Sequence, residues 1–408
     1  MECKIGFKII DSSIILNSSL LGNSGFPRKV VIDMATDEQV FEVQVILNSD
    51  KIFEIDRAWN ELVGQSCENP FMLSSFVWQI IKSSCSEDNS PLIPVFLRKN
   101  RIIGIVPFMA KKTLGIRSVK FVNKSDVTPD LIVDNQYRET LIAQMLDFLF
   151  RNLNCKLVEL RLPVESPNLQ IIREQCKVKG INFRLSPEMG HRILPVTCSW
   201  SEFESARGKN FRQQFRKTER KLDQAGRWQV LCVDGDEGTG VVEKIFDVEK
   251  RSWKQTWRMQ KGDDADEDLR AFIEASKRAA TIEPAFKWKV WFLELNSQTV
   301  AYLLVLQYRG VAYLTKTSYD QQYKGFYPGQ YLRKAVICEL FNERQVKTID
   351  FLTDLPHHLT WTTICKRRVR ITMAKGVIPT LAQSAFTNDL LTMSQRLLNH
   401  ASILQAIS

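Results

Sequence analysis

The sequence predicts an α/β protein built from two lobes in tandem, each a mixed, mostly antiparallel sheet flanked by helices. Three observations predict it. The chain has 408 residues, more than one hydrophobic core usually serves. Apolar residues make up 44% and charged residues 25%, the balance of a folded chain rather than a disordered one. An order of strand, strand, strand, helix, strand is legible twice.

The first copy opens with Trp59, Leu62 and Val63 at helical spacing, and Asn69-Pro70 breaks that helix. Phe76, Ile80 and Ile81 form a second stripe behind Ser74, which suits an N-cap. Strands at 92–97 and 101–109 meet at Lys99-Asn100, and a third strand lies at 119–122. A helix over 137–153 presents Leu141, Met145, Phe148 and Leu149 on one face. A strand at 156–162 and a helix over 167–179, stopped by Gly180, complete the unit.

In the second copy, strands at 288–295 and 299–307 meet at Asn296-Ser297, followed by a strand at 311–317, a helix over 328–342 and a strand at 347–352. The hairpins share Phe-Leu and a following Asn: Phe96, Leu97 and Asn100 against Phe292, Leu293 and Asn296. Val158-Glu159-Leu160 stands where Thr348-Ile349-Asp350-Phe351 stands later. Between the copies run a charged helix over 207–224 ending near Gly226, helices over 241–257 and 266–280, and a loop at 235–240. Domains are expected at 1–48 (an extension), 49–196, 197–378 and 379–408 (a helical tail).

Nine cysteines occur with no CxxC pair, which suits a reduced, cytoplasmic chain. The histidines are His191, His357, His358 and His400, and no metal-ligand spacing links them, so no metal is expected. The N-terminal stretch is broken by Lys8 and Asp11 and lacks a signal-peptide pattern, and no run is apolar enough to span a membrane. The net charge of +10 favours an anionic partner. A phosphorylated substrate, coenzyme A, nucleic acid and peripheral contact with an anionic membrane all fit, although no nucleic-acid reading motif is present.

Several motifs of the second half resemble one family. Asn210-Phe211-Arg212 with Arg216, Arg220 and Gly226 resembles its basic helix, and Phe246 with Arg251-Ser252-Trp253 its next helix. Val300-Ala301-Tyr302 and Gly310 match its paired strands. Tyr319-Asp320, Tyr323, Pro328-Gly329 and Leu332 match its loop-to-helix motif, and Asp350-Phe351 its last core strand. Over about 170 residues the chain is thus similar to the CelD-type acetyltransferase domain, a branch of the GNAT superfamily, and to the Fem-type peptidyltransferases that carry the fold in tandem. Where relatives carry Tyr-Lys, this chain has His357-His358.

The resemblance implies an N-acyltransferase that moves an acyl group, acetyl first among them, from coenzyme A to an amine of a sugar, amino acid or lipid-linked intermediate. It places acyl-coenzyme A, as co-substrate, at Thr315, Thr317, Tyr319, Tyr323, Pro328, Gly329, Gln330 and Tyr331. A helix N-terminus has free N–H groups and partial positive charge suited to a pyrophosphate, although an ordinary capped helix is the simpler reading of those residues alone. The resemblance also implies that a backbone N–H of the strand over 313–317 polarises the thioester carbonyl.

Asp350, His357 and His358 are the candidate proton acceptors, against the plainer readings of a strand-end carboxylate and two loop histidines. Arg212, Arg216, Trp253, Asp354 and Trp361 are the candidate acceptor contacts, against a solvated basic face and core aromatics. The first lobe has Pro129-Asp130 to Asn135-Gln136 in place of a Pro-Gly loop, which suggests a structural role. Two rival readings remain: a Fem-type transfer from aminoacyl-tRNA, and a non-catalytic scaffold with a basic docking surface.

Overall fold

The computed structural model describes residues 32–36, 39–113, 116–122, 127–235, 240–252, 254 and 264–375. The expected tail over 379–408, Trp253 and most of the expected extension over 1–48 lie outside them. The first lobe holds β1 (Ile32–Thr36), β2 (Gln39–Ile46), α1 (Asp56–Ser66), α2 (Ser74–Ser84), β3 (Asn89–Arg98), β4 (Arg101–Ile105), β5 (Phe108–Thr113), β6 (Ile116–Phe121), β7 (Ile132–Val133), α3 (Arg138–Asp147), β8 (Leu157–Pro163) and α4 (Pro167–Val178). Next, β9 (Asn182–Pro195) crosses between the lobes. The second lobe holds α5 (Trp200–Ser205), α6 (Lys209–Ala225), β10 (Trp228–Asp234), α7 (Val241–Lys250), α8 (Asp264–Ile282), β11 (Phe286–Leu295), β12 (Gln298–Tyr308), β13 (Val311–Tyr319), α9 (Pro328–Asn342) and β14 (Thr348–Asp350), and β15 (Cys365–Ala374) follows.

The two copies share irregularities as well as order. Lys99 and Asn100 have φ of 48° and 64°, and Asn296 and Ser297 have 51° and 65°. Two successive left-handed residues make the tight turn whose twist suits a hairpin. Each turn is followed by a bulge at the same distance. Pairing passes from Leu97↔Ile102 to Phe96↔Gly104, and from Glu294↔Thr299 to Leu293↔Ala301, skipping Ile103 and Val300. Each lobe also has one parallel pair, β6 with β8 and β13 with β14.

One sheet runs through both lobes in the order β1-β2-β3-β5-β6-β8-β15-β9-β14-β13-β12-β11-β10, with β4 beside β3 and β7 beside β4. The junction differs from the sequence expectation. Strand β15, which falls within the domain expected over 197–378, pairs with β8 of the first lobe on one side and with β9 on the other. The last residues of β9 then pair with β14. Strand β2 pairs with β3, so the first lobe's sheet begins before residue 49.

Two local expectations also shift. The strand expected over 101–109 is divided at Pro107, which has no N–H for a ladder, into β4 and β5. At the start of α2 the Asn60 side chain, not that of Ser74, caps the helix, accepting the Ser74 N–H at 3.0 Å.

The second lobe's sheet is covered differently on its two faces. Toward the first lobe, α7, α8 and α2 cover it, with Phe76 against Phe272 and Phe286 at ring distances of 5.5 and 5.9 Å. On the other face α6 and α9 enclose Phe211, Phe215, Trp291, Leu332 and Trp361. Burial of the face toward the first lobe supplies the main driving force for docking the lobes. Among the described residues no helix is long and apolar enough to cross a membrane.

Candidate active site

Strands β13 and β14 part at a defined point. They pair in parallel only through Val311↔Thr348, Ala312↔Ile349 and Tyr313↔Asp350. Beyond Tyr313, β13 continues along β12 while the chain after Asp350 turns away. Just past the parting, β13 bulges: pairing with β12 passes from Val305↔Leu314 to Leu304↔Lys316, leaving Thr315 out of the register. A bulge releases backbone groups from the ladder and re-aims them. Two residues past the end of the other strand, Leu352 has φ of 61°, a left-handed conformation rare for an apolar side chain.

A cavity of about 30 Å³ fills the gap on the first lobe's side. Thr315, Lys316 and Leu352 wall it from the second lobe, and Phe71, Phe76, Gln79, Ile80 and Val127 from the first. The first lobe therefore contributes directly to the site, beyond the structural role expected for it.

Asp350 lies beside this gap and is buried. Its Oδ1 accepts the Leu352 N–H at 2.7 Å, and its Oδ2 lies 3.3 Å from His191 Nε2. His191 Nδ1 in turn meets Thr128 Oγ1 at 3.1 Å. Burial pushes the Asp350 carboxyl up to about 7, against the smaller opposing pull of the Leu352 N–H, Lys366 and Arg368. Burial, then Arg368 and Lys366, push His191 down to about 4. The 3.3 Å contact is therefore a hydrogen bond between largely neutral groups rather than a fixed ion pair. Nothing in the sequence spacing links His191 to Asp350; β9 brings it there by pairing with β14.

The other expected residues fall in several places. The hydroxyls of Thr315 and Thr317 are spent on β12, donating to the Leu304 and Tyr302 carbonyls, each at 2.9 Å. Tyr323 donates to Gln298 Oε1 at 3.0 Å, and buried Tyr331 to Glu219 at 3.3 Å. Pro328 begins α9 behind Tyr327, whose carbonyl accepts the N–H groups of both Gln330 and Tyr331 at 3.1 Å. Two of the donors expected to cradle a pyrophosphate are thus already used. A side chain on Gly329 would meet the Tyr319 ring at 3.2 Å, so the glycine makes room for Tyr319 rather than for an approaching phosphate. Helix α6 lies over this start, with Gln214 donating to Gln330 at 2.7 Å and Lys221 to the Gly325 carbonyl at 3.0 Å.

On α6, Arg212 is half-buried and Arg216 exposed, and neither has an acid partner among the described residues. Asp354 is held by Arg192 at 2.6 Å, and Trp361 is core, edge-on to Phe211 at 5.3 Å. His358 is buried against Phe351, and its Nδ1 donates to the Thr353 carbonyl at 3.0 Å. Burial, then Arg333, lowers it to about 4. His357 sits exposed at the surface over His358, and its inner edge, with Arg333 behind it, lowers it as well.

The remaining family-like letters form a clasp. Arg251 binds fully buried Asp320 at 2.7 Å and the Thr299 carbonyl at 2.9 Å, which ties the end of α7 to the loop after β13. Lys254 reaches Glu249 at 3.3 Å and the Thr317 carbonyl at 2.7 Å.

Several of the motif residues that carry the sequence resemblance lie on β12, β13, α9 and β14 around the parting of β13 from β14. Residues 209–358 match the family model described as an acetyltransferase (GNAT) domain. The second lobe is a GNAT domain. Acyl transfer is the activity that goes with this family. Among solved structures, the chain is similar to the C-terminal domain of a putative lysylphosphatidylglycerol synthetase from Agrobacterium fabrum, with a TM-score of 0.50, 10% identity, and 85% of this chain and 96% of that one covered. It is also similar to a conserved protein of unknown function from Bacteroides thetaiotaomicron VPI-5482 (TM-score 0.49, 12% identity, 81% and 98% covered). A tandem GNAT protein from the clavulanic acid biosynthesis pathway gives a TM-score of 0.44 at 12% identity, with 83% and 100% covered. Identities this low speak to the fold alone. Comparison with curated proteins gives no match.

Proposed function

We propose that the second lobe is the transferase centre and moves an acyl group from acyl-coenzyme A to an amine. One observation carries the reading: the parting of β13 from β14, the bulge at Thr315 and the Asp350–His191 pair coincide. Acyl-coenzyme A would supply an activated thioester: the amine nitrogen bonds to the acyl carbon, the C–S bond breaks, and coenzyme A leaves as the thiol after taking up a proton. The backbone freed at the bulge donates to the thioester oxygen as charge gathers there. Asp350 accepts the proton of the attacking ammonium, directly or through one water, and a carboxyl near 7 suits that task at neutral pH. His191 orients the carboxyl, and Thr128 orients His191. The apolar walls from Phe71, Phe76 and Ile80 keep water from competing.

The fit to coenzyme A is good at the thioester end and partial at the pyrophosphate end, where two helix N–H groups are used and side chains such as Lys221 and Lys324 would supply charge. That observation, with the acid-free basic stripe of α6, favours one second reading: an aminoacyl group delivered by tRNA. Thermal-shift titrations with acetyl-coenzyme A, free coenzyme A and aminoacyl-tRNA separate the two. Stabilisation by coenzyme A with acetyl transfer to a panel of amines supports the first; stabilisation by aminoacyl-tRNA alone replaces it with the second. No response to either overturns both and leaves a docking scaffold.

A further inference from the structure

On the other side of the same lobe lies a second cavity, of about 90 Å³, between α6, the first turns of α9 and the 3-10 turn Pro356–Thr360. Gln214, Gln330, Arg333, His357, Thr360 and Trp361 line it. No carboxylate is among its lining residues. Two nearby acids are committed elsewhere: Glu219 to Lys334 at 3.3 Å and Asp354 to Arg192 at 2.6 Å.

Arg333 is the centre of the problem. It is half-buried, and among the described residues it has neither an ion pair nor a hydrogen bond. Burial lowers it to about 10, so it keeps its charge at neutral pH. Folded chains rarely leave a guanidinium in a cavity without an anion, because such a charge gives up hydration and gains nothing in return.

The other polar groups there can all donate. The Gln330 carboxamide oxygen takes a hydrogen bond from Gln214 at 2.7 Å, which leaves its own NH2 to point elsewhere. Thr360 brings a hydroxyl, and His357, held neutral, brings one ring N–H. Gln330 and Arg333 are also one turn apart at the start of α9, where the helix dipole favours negative charge. The volume is that of about three liquid waters, enough for one tetrahedral or planar oxyanion.

We propose that this cavity is an oxyanion subsite, in which Arg333 grips a phosphate or carboxylate group of a substrate. The planar fork of an arginine binds two oxygens of such a group in parallel, which a lysine does not reproduce. The inference deepens the transferase reading by giving one substrate an anionic group at a fixed place. Its existence does not depend on coenzyme A being the donor.

The test is calorimetric titration of the full chain with inorganic pyrophosphate, malonate and coenzyme A, for the wild type, Arg333→Gln and Arg333→Lys, with circular dichroism as the folding control. At least one of pyrophosphate and malonate is expected to bind one-to-one at millimolar concentration. Binding should weaken about tenfold or more in Arg333→Gln, with only partial recovery in Arg333→Lys. Pyrophosphate with coenzyme A assigns the site to a phosphate; malonate alone assigns it to an acceptor carboxylate. Pyrophosphate binding that depends on Arg333, in a protein that does not bind coenzyme A, upholds the subsite and sinks the coenzyme A donor. No saturable binding of either small anion, or equal affinity in folded Arg333→Gln, overturns the subsite. Should Arg333→Gln fail to fold, the decision passes to Arg333→Lys and to Gln330→Ala, whose undiminished affinities would overturn it equally.

Discussion

The Asp350–His191 pair makes a prediction with opposite signs for its two members. Asp350 moves from an ordinary 3.8 to about 7, a difference worth about 4 kcal/mol. His191 moves from 6.5 to about 4, worth about 3 kcal/mol. As pH rises from about 4 to 7, the unfolded chain loses the Asp350 proton while the folded chain keeps it, so this group makes stability fall. Over much of the same window the unfolded chain also gives up the His191 proton, which the folded chain never held, so that group makes stability rise. In the wild type the two largely cancel. Asp350→Asn removes one side of the balance and His191→Asn the other. Denaturation curves at several pH values from about 4.5 to 7 should therefore show the difference between Asp350→Asn and wild type growing more favourable with pH, by about 3 kcal/mol. The difference for His191→Asn should grow less favourable, by about 2 kcal/mol. A true ion pair would leave both differences flat between about pH 4.5 and 6.5, because neither ordinary ionisation would then be opposed by folding there. Flat or like-signed differences would refute the neutral pair, and with it the poised carboxyl on which the proposed proton transfer depends.

Three further outcomes follow from the same geometry. Arg251→Ala strips fully buried Asp320 of its cation and should cost about 2–3 kcal/mol in denaturant titration; a loss below about 0.5 kcal/mol would mean the clasp holds nothing. Ile80→Ala enlarges the cavity beside Thr315 and should raise the rate with propionyl- and butyryl-coenzyme A relative to acetyl-coenzyme A; an unchanged preference would place the acyl group elsewhere. Replacing both Arg212 and Arg216 with Gln should raise the KM of an anionic acceptor and flatten its salt dependence while leaving kcat alone, and identical kinetics would return the α6 stripe to a solvated face.

How much of this was legible in the sequence depends on the distance over which each feature is encoded. The hairpins at Lys99-Asn100 and Asn296-Ser297 were readable because a turn and its flanking alternation sit within a few residues. So was α9, announced by Pro328. Strand β10 was not read: its burial follows no clean alternation, and β11 determines its place. The placement of β15 could not be read at all, because a basic alternating strand fits many sheet positions and its partners lie about 200 residues away in β8 and β9. Asp350 was found because it ends a strand within a family-like motif; His191 was missed because its partnership exists only after the lobes join. Arg333 left no signal either, since a single arginine on a helix is ordinarily solvated and only the cavity makes it unusual.

The join also explains how two copies of one unit reach different chemical ends. Glu159 in the first lobe's parallel pair, opposite Lys120, occupies the place of Asp350 opposite Tyr313 in the second. Both carboxylates are buried. Around Glu159 the chain sets Lys120 at 3.5 Å, with Arg161 and Arg370 each at 3.9 Å. Three cations thus surround that carboxylate. Asp350 meets instead a neutral imidazole and one backbone N–H. Strand β15 contributes to both environments: it carries Arg370 to Glu159, while Lys366 and Arg368 act on Asp350 and His191 only as weaker, more distant charges. Strand β15 thus sets a cation beside one copy of the carboxylate and leaves Asp350 to His191 and the Leu352 N–H. The first lobe supplies Thr128, Phe71 and Gln79 to the candidate site.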